Sequence, residues 1–393
     1  MAQVIQAGNR TFQRQANIAL IMQTIQQNGT ISRVDIARHL GLERSTVTNI
    51  VSNLMDYDIV RTVAQGESTS QGGRKPTYLG INPDRVHILG LEIEVGYYRA
   101  VVLNLLGEPV EEIEGTLNGD NHTSFSELFF TLYDEVIEQL GPQSAPLVGV
   151  GVGIPGPVDL QRGIILQSHT LELENYNYID KIAARLGLPL YFENDSNCCA
   201  LGERWKAGNS ELRTFMYMLT KFFYHKSRIM DRPGIGFGIM IDGSIYYGSN
   251  YRAGEYRSNH WNETGPENIG LSEGELLQLT ENPALLERFL VNIFGKLSAT
   301  FANFDPERII IGGDLQRNFA SVQRIISEEL PNAWIGEPDN QTKIQCSSLG
   351  ENEIAFGAAA MVLDKLFTIP QVGRQSDFVS MTWDWVFSQL EAL

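Results

Sequence analysis

The order of predicted elements between residues 86 and 315 of this 393-residue chain occurs twice, and this repeat limits the fold more than any other feature. Each copy has several β-type runs, then one helix, then a further strand. The first copy has runs at 86–94, 98–105 and 109–117, a helix at 126–140 and a strand at 147–152. The second has runs at 215–220, 234–241 and 244–247, a helix at 284–304 and a strand at 308–311. The repeat predicts two related α/β lobes with a cleft between them.

A different pattern occupies the first 82 residues. Apolar residues at helical spacing predict three helices, which begin near residues 15, 33 and 44. Ser32 can cap the second helix, and Gly41 makes the turn before the third. Two short strands at 59–63 and 77–81 flank a segment, 65–76, that is rich in Gly, Ser and Gln. This arrangement predicts a winged helix-turn-helix.

Side chains that DNA can bind lie on two parts of this head. The outer face of the third helix carries hydrogen-bonding groups near its N-terminal end, namely Arg44, Ser45, Thr46, Thr48 and Asn49. In the wing segment, Gly73 allows close approach, and Arg74 and Lys75 can enter a minor groove or clamp phosphates. Arg14 and Arg33 are further candidates for phosphate contacts, or else ordinary solvated side chains. The alternative for the whole head is a three-helix interaction module with an ordinary solvated face.

Charge is divided unevenly along the chain. The net charge is −17, yet residues 1–85 carry nine Lys or Arg against six Asp or Glu, and the rest carries 21 against 41. A mildly basic head is therefore joined to an acidic body. No apolar run is long enough to cross a membrane and residues 1–11 lack the pattern of a secretion signal, so the sequence predicts a cytoplasmic protein. The three cysteines, Cys198, Cys199 and Cys346, offer neither a disulfide framework nor a metal-binding spacing.

The segment FENDSN, at 192–197, places two carboxylates and two carboxamides where an apolar run ends and a helical pattern begins. Asp195 can act there as a general base, or it can accept a hydrogen bond from a ligand hydroxyl. The residue alone does not decide between these two roles.

Four motifs carry a resemblance to a known family, namely GVGVGIPGPVD (149–159), FENDSN (192–197), RAGE (252–255) and RIIIGGDL (308–315). Behind an N-terminal winged helix, they resemble the repressor branch of the ROK family of sugar kinases and sugar-responsive repressors. The resemblance covers nearly the whole chain. It implies an actin-like and hexokinase-like α/β fold of two lobes, assembly as a homodimer or homotetramer, and a sugar-type inducer in the cleft.

The expected domains follow from the head pattern and this resemblance. Residues 1–82 form the winged helix-turn-helix, and 83–195 form the first lobe, completed by a C-terminal helix at 375–393. Residues 196–374 form the second lobe, which is expected to carry ligand-binding and oligomerisation surfaces.

Two departures from the family pattern bear on chemistry. Where family kinases have a glycine loop for the ATP phosphates, this chain has Glu92, Glu94 and Val95, which would repel and obstruct a triphosphate. The cysteine cluster through which family members bind zinc is absent, and Ser258 stands at the position of the usual histidine. The sequence therefore predicts no enzyme activity, no metal and no cofactor.

The candidate ligand-facing residues of the cleft are Gly153, Thr170, Asn194, Asp195, Glu255, Arg257 and His260. The resemblance implies Asn194, Asp195 and Glu255, whereas His260, two residues beyond the expected histidine, either turns into the cleft or is an ordinary surface or core residue. Thr170 replaces the usual asparagine of hexose-binding repressors, and Arg257 offers a charge that neutral sugars do not require, or pairs with an acidic neighbour. The predicted function is a transcriptional regulator, a repressor, whose binding to double-stranded operator DNA is modulated by a small carbohydrate effector. Two alternatives stay open: a ROK sugar kinase with a DNA-binding head, and a DNA-binding regulator with a vestigial cleft.

Overall fold

The computed structural model describes residues 10–65, 77–117, 124–142, 144–208, 212–222, 234–256, 271–276, 278–279, 281–329, 343–369 and 380–392. They form a small head and two larger lobes, with two five-stranded sheets and two three-stranded sheets. Within these ranges no helix has the length and apolar character needed to span a membrane.

The head is a three-helix unit with a small antiparallel sheet, as the sequence predicts. Its elements are α1 (Arg10–Asn28), β1 (Ile31–Ser32), α2 (Arg33–Leu40), α3 (Arg44–Asp56), β2 (Val60–Gln65) and β3 (Thr77–Ile81). At the start of α2 the Ser32 hydroxyl accepts a hydrogen bond from the Asp35 N–H at 3.2 Å. Gly41 ends this helix in the left-handed region, at φ 62°. The sequence does not predict β1, because two residues are too few to show a period.

The first lobe is built on a five-stranded mixed sheet. Its elements are β4 (His87–Glu94), β5 (Tyr97–Leu103), β6 (Pro109–Thr116), α4 (Phe125–Leu140), β7 (Leu147–Ile154), β8 (Val158–Asp159), β9 (Ile164–Ser168), β10 (Leu173–Asn177), α5 (Ala184–Leu186) and β11 (Leu190–Asn194). The strand order is β11-β7-β4-β5-β6, in which β11, β7 and β4 are parallel and β4, β5 and β6 form the predicted meander. Strands β8, β9 and β10 form a separate antiparallel sheet that the sequence does not predict.

The second lobe repeats this plan. Its elements are α6 (Asp195–Lys206), β12 (Phe215–Lys221), β13 (Gly234–Ile241), β14 (Ser244–Ile245), α7 (Glu273–Leu276), α8 (Pro283–Phe304), β15 (Arg308–Gly313), α9 (Phe319–Arg324) and β16 (Lys343–Cys346). β12 pairs antiparallel with β13 and parallel with β15, as β4 pairs with β5 and β7. The predicted repeat is therefore confirmed in the strand pairing.

Two helices, α6 and α10 (Glu353–Phe367), pack between the two large sheets. Glycines in the strands allow this close approach: a Cβ at Gly90 would lie 2.0 Å from the Ala355 carbonyl oxygen, and a Cβ at Gly238 would lie 2.3 Å from that of Ser196. A larger residue at either strand position would push the helix away from the sheet. The sequence does not predict α10, because its residues are buried nearly all round and its apolar pattern lacks a helical period.

The head packs directly against the body. The last described helix, α11 (Trp383–Glu391), contacts α1 and β7 and lies inside the segment 375–393 where a helix is expected. One core joins α1, α10 and α11 through Ile18, Met22, Leu363, Phe367, Trp383 and Phe387. The head is therefore a continuation of the body core, while the predicted domain boundaries stay predictions.

Candidate DNA-binding face and interlobe site

The outer face of α3 is open to solvent at the positions that the sequence selects. Arg44, Ser45, Thr48 and Asn49 are exposed and Thr46 is half-buried, whereas the intervening Val47 is fully buried. The Thr48 hydroxyl donates to the Arg44 carbonyl at 2.7 Å, within the helix. The other side chains of this face make no side-chain contact within the described residues that would prevent them from reaching DNA. Their assignment as DNA contacts stays a prediction.

The other DNA-binding candidates lie in different surroundings. Arg14 forms an ion pair with Asp384 of α11, donates to the Asn53 side chain at 3.1 Å, and lies over the Phe387 ring. Arg33 is half-buried and directs its guanidinium to the Met55 sulfur at 3.0 Å. Arg14 thus joins the head to the body in this structure. The wing candidates Gly73, Arg74 and Lys75 lie outside the described residues.

In the cleft, the structure brings together Asn194 and Asp195, where β11 ends and α6 begins. The Asn194 side chain caps α6 by accepting from the Asn197 N–H at 3.1 Å, and it donates to the Gly156 carbonyl at 3.3 Å. Both ends of this carboxamide are therefore used by the fold. Asp195 is nearly buried, and its Oδ1 accepts from the Ser196 N–H and hydroxyl at 2.7 and 3.2 Å. Its Oδ2 has no hydrogen bond from any described residue.

Burial raises the pKa of Asp195 to about 7. The ammonium of Lys221 lowers this pKa, and the carboxylates of Glu94 and Glu255 raise it. The protein thus places a carboxyl that changes protonation near neutral pH at the start of α6. A carboxyl with this pKa can transfer a proton or accept a hydrogen bond. The pKa of Asp195 therefore does not decide between a catalytic and a binding role.

The remaining cleft candidates differ in what surrounds them. Glu255 is exposed and forms an isolated β-bridge with Gly236. Thr170 is half-buried, with its hydroxyl 3.4 Å from that of Ser168. Gly153 packs against α10, where a Cβ would lie 2.4 Å from the Ile354 side chain, so helix packing accounts for this glycine. Arg257 and His260 lie outside the described residues.

Sequence reasoning missed Glu193, which is buried beside the site. Its Oε1 accepts from the Asn194 N–H at 2.8 Å and from the Asn197 side chain at 3.0 Å. Its Oε2 accepts from the Tyr247 hydroxyl of the second lobe at 2.8 Å. Glu193 therefore fixes the FENDSN turn and ties it to the opposite lobe. Its place in the quoted motif is the one sequence signal that points to it.

Sequence reasoning also missed Lys221 at the end of β12. Its ammonium lies 2.9 Å from Glu92 and 2.9 Å from Glu94; both carboxylates are buried, and the Lys221 side chain is mostly buried. The Tyr97 hydroxyl also donates to Glu92, at 2.9 Å. Burial alone would lower the pKa of Lys221, but the Glu92 and Glu94 carboxylates hold it well above its ordinary value. The glutamates that the sequence marks as obstructing a phosphate loop are thus bound to an internal cation.

A cavity of about 570 Å³ lies beside this cluster, between β4, β15 and the start of α10. Its ionic groups are paired with each other: Arg99 lies 3.8 Å from Glu92 and 3.8 Å from Glu351, and Arg317 lies 2.6 Å from Glu351. The Gly313 N–H at its edge donates to the Glu353 carboxylate at 2.7 Å. The donors that could bind an entering phosphate therefore already have carboxylate partners. In the described part of the chain, no group of three or more His, Cys, Asp or Glu is arranged to hold a metal ion.

Comparison with known proteins agrees with the two-part architecture. The model of the ROK family matches residues 120–266, and a model of winged helix-turn-helix DNA-binding domains matches residues 18–61. A solved ROK family transcriptional regulator, described as a homologue of the E. coli MLC protein, has a TM-score of 0.73 over 91% of this chain and 97% of its own, at 18% identity. The predicted fold class, a winged helix-turn-helix followed by a two-lobed α/β body like that of ROK proteins, is confirmed.

Several relatives of this chain are repressors by name. A putative xylose repressor of Caldicellulosiruptor sp. strain Rt8B.4 is 30% identical over 63% of this chain and 59% of its own length. The xylose repressor of Caldicellulosiruptor bescii is 24% identical over 93% of this chain and 99% of its own. The similarity to the second therefore extends through both the head and the lobes.

Proposed function

Because the chain carries a ROK family domain behind a winged helix-turn-helix, we propose that it is a transcriptional repressor whose operator binding is modulated by a sugar or sugar-derived ligand. The exposed face of α3 reads the operator, and the cleft beside Asp195 binds the ligand. The xylose repressors among its relatives support a carbohydrate as the ligand class.

The observation that carries this proposal is the path of α10. Glu353 and Ile354, at its N-terminal end, line the interlobe cavity. Leu363 and Phe367, near its C-terminal end, belong to the core that contains α1 of the head and Trp383 of α11.

α10 also packs closely on α6, which begins at Asp195: a Cβ at Gly357 would lie 1.9 Å from the Cys198 carbonyl oxygen. A closely packed helix moves as a unit, so a shift of α6 on ligand binding at Asp195 moves α10 and displaces the packing under the head. The ligand controls DNA binding if it binds one arrangement more tightly than the other.

Asp195 acts in this proposal as a hydrogen-bond acceptor. Its Oδ2 accepts from a ligand hydroxyl, and the carboxylate of Glu255 and the hydroxyl of Thr170 extend the polar surface. Asn194 holds the turn through its cap and its bond to Gly156, so it positions Asp195. The protein then needs no phosphoryl donor.

Kinase activity is less well supported by this cleft than ligand sensing. Phosphoryl transfer requires donors and glycines that cradle the ATP phosphates. Here Glu92 and Glu94 bind Lys221, and the arginines of the adjoining cavity already have carboxylate partners. We therefore propose that the chain is a regulator without enzyme activity.

The operator and the assembly follow from symmetry. A homodimer, alone or paired into a homotetramer, places two α3 helices on the half-sites of a pseudo-palindrome. The proposed partner is double-stranded operator DNA, and the proposed site of action is the cytoplasm.

The test is a selection of bound fragments from a random duplex library with the full chain, followed by gel shifts at one salt concentration. We expect a pseudo-palindromic site bound about a thousandfold or more tighter than random DNA. Asn49→Ala should weaken binding to this site by about 1–3 kcal/mol. The matched control is Asn318→Ala on the second lobe, which should leave affinity unchanged. Binding with no preference over random DNA would overturn the assignment of the head.

A further inference from the structure

A second polar cavity, of about 450 Å³, lies between the lobes on the side of the β8–β10 sheet. The first lobe contributes Arg162, Gln167 and Glu174 to its wall, and the second lobe contributes Asn250 and Arg252. Its lining is polar and charged, unlike the cores beneath the two large sheets. A cavity shared by both lobes is a place where a ligand can hold them together.

Arg162 and Arg252 face this cavity from opposite lobes, and both are exposed. Neither guanidinium forms a hydrogen bond or ion pair with any residue that the structure describes. Arginines elsewhere in the body are paired, as Arg204 is with Asp364 at 2.8 Å and Arg288 is with Glu275 at 2.7 Å. A guanidinium has five N–H donors in a planar fork that matches a carboxylate or a phosphate.

The carboxylates of the same cavity do not use these donors. Asp159 is buried, and its Oδ1 accepts from the backbone N–H groups of Gln161 and Arg162, both at 3.0 Å. It therefore holds the turn that presents Arg162. Glu174 lies exposed on β10 and makes no ion pair with either arginine. The guanidinium donors remain directed to the cavity and not to a protein carboxylate.

One wall of the cavity is connected to the FENDSN turn through Gly156 and Gln167. The Asn194 side chain donates to the Gly156 carbonyl, and Gly156, at φ 107°, packs so closely on β9 that a Cβ would lie 2.0 Å from the Gln167 carbonyl oxygen. From the other lobe, Arg252 and Glu255 lie in one turn, in which the Glu255 N–H donates to the Arg252 carbonyl at 3.3 Å. Both walls of the cavity are thus joined by short contact paths to Asn194 and Glu255, the residues around Asp195.

We propose that this cavity binds an anionic group, a carboxylate or a phosphate, on the ligand whose hydroxyls bind at Asp195. Arg162 and Arg252 donate to that group from the two lobes, and the anion links them. This inference rests on the proposed ligand-sensing function and narrows its ligand from carbohydrates in general to sugar acids or sugar phosphates. It distinguishes this chain from a sensor of a neutral sugar.

The test is calorimetric titration of the full chain with matched pairs of neutral and anionic sugars. The pairs are D-glucose with D-glucuronate and with D-glucose 6-phosphate, and D-xylose with D-xylonate. We expect one anionic member to bind at least about tenfold more tightly than its neutral parent. The pair that shows this preference distinguishes a carboxylate from a phosphate.

Variants assign the preference to the cavity. Changing Arg162→Gln and Arg252→Gln together should remove the preference while leaving the melting temperature near that of the wild type, because both side chains are exposed. The control Arg213→Gln removes an exposed arginine just before β12. This variant should retain the preference for the anionic sugar.

Three results would overturn the inference: a neutral parent that binds as tightly as its anion, a preference that survives the double variant, or no binding by any anionic sugar. The selection of operator fragments from the duplex library needs no ligand. It therefore tests the proposed DNA-binding function separately from the anion site. If a neutral sugar releases the operator and no anionic sugar binds more tightly, the anion site is contradicted, whereas the proposed repressor function is supported.

Discussion

Lys221 of the second lobe and Glu92 of the first form a buried ion pair across the cleft, with the Lys221 ammonium nitrogen 2.9 Å from Glu92 Oε1. Glu94 binds the same ammonium at 2.9 Å, and the side chains are 13%, 2% and 3% exposed for Lys221, Glu92 and Glu94. This cluster links the lobes where phosphate-binding chemistry would need open donors. Removing Lys221 leaves the two carboxylates as uncompensated buried charges, which is the costly change, whereas neutralising all three groups together is not.

Lys221→Met should destabilise the chain by about 3–5 kcal/mol, because Glu92 and Glu94 then lose their cation in a buried site. Urea unfolding followed by tryptophan fluorescence measures the change. The triple variant Lys221→Met, Glu92→Gln, Glu94→Gln should recover most of the loss, and Lys343→Met, on an exposed edge strand, is the control. If Lys221→Met alone is as stable as the wild type, the ion pairs of Lys221 with Glu92 and Glu94 do not stabilise the contact between the lobes.

Asp195 should make the stability of the ligand-free protein depend on pH. Burial raises its pKa from 3.8 to about 7, so the folded state retains a proton that the unfolded state releases. Its contribution is therefore full below about pH 4 and is lost as the pH rises through about 7. The unfolding free energy of the wild type, relative to Asp195→Asn, should fall between about pH 4 and pH 7 by up to about 1.4 kcal/mol per unit and level off above that. A constant difference across this range would contradict the buried, protonated state.

Arg14 should act in the contact between head and body. Its ion pair with Asp384 is about 40% exposed on both sides, so solvent limits the coupling energy to about 0.2–1 kcal/mol. A double-mutant cycle with Arg14→Ala and Asp384→Ala, read by thermal unfolding, measures that energy. The cycle should give a favourable coupling, and Asp384→Ala should not change the salt dependence of operator binding. Zero coupling together with a salt slope reduced by about one in Arg14→Ala would instead make Arg14 a phosphate contact.

Trp383 should be essential for the packing of the head. It is fully buried, its indole N–H donates to the Leu366 carbonyl at 2.8 Å, and its ring lies 6.2 Å from that of Phe367. Trp383→Ala should cost about 3–5 kcal/mol through the cavity that it leaves. Hydrogen exchange should show the loss of protection in α1 as well as in α10. The control Phe304→Ala, at an exposed ring, should change stability by less than about 1 kcal/mol, and protection in α1 that survives Trp383→Ala would contradict a shared core.

The sequence predicts the head well because its signals are local. The helical spacing of Ile18, Ile21 and Ile25, the Ser32 cap and the Gly41 turn each act within a few residues of where they lie. The repeat of the lobes is predictable for the same reason, since strand alternation and the following helix are read in short windows. The position of Asp195 at the start of α6 also follows from a local switch of pattern.

The parts that escape prediction depend on partners far away in the chain. Lys221 ends an apolar strand and gives no signal until folding places it against Glu92, 129 residues earlier. Arg14 resembles any surface arginine of a DNA-binding head, but its partner Asp384 is 370 residues away. The buried residues of α10 lack helical periodicity because contacts surround the helix on all sides. Long-range contacts of this kind leave no pattern in a sequence window.

The most direct test of the account is the operator affinity of the full chain, with and without the ligand that calorimetry identifies, for the wild type and for Asp195→Ala. The ligand should weaken operator binding of the wild type by at least about tenfold. Asp195→Ala should bind the operator as tightly as the wild type without ligand and should no longer respond. Equal release of both proteins by the ligand would contradict the assignment of Asp195 as the acceptor through which the cleft controls the head.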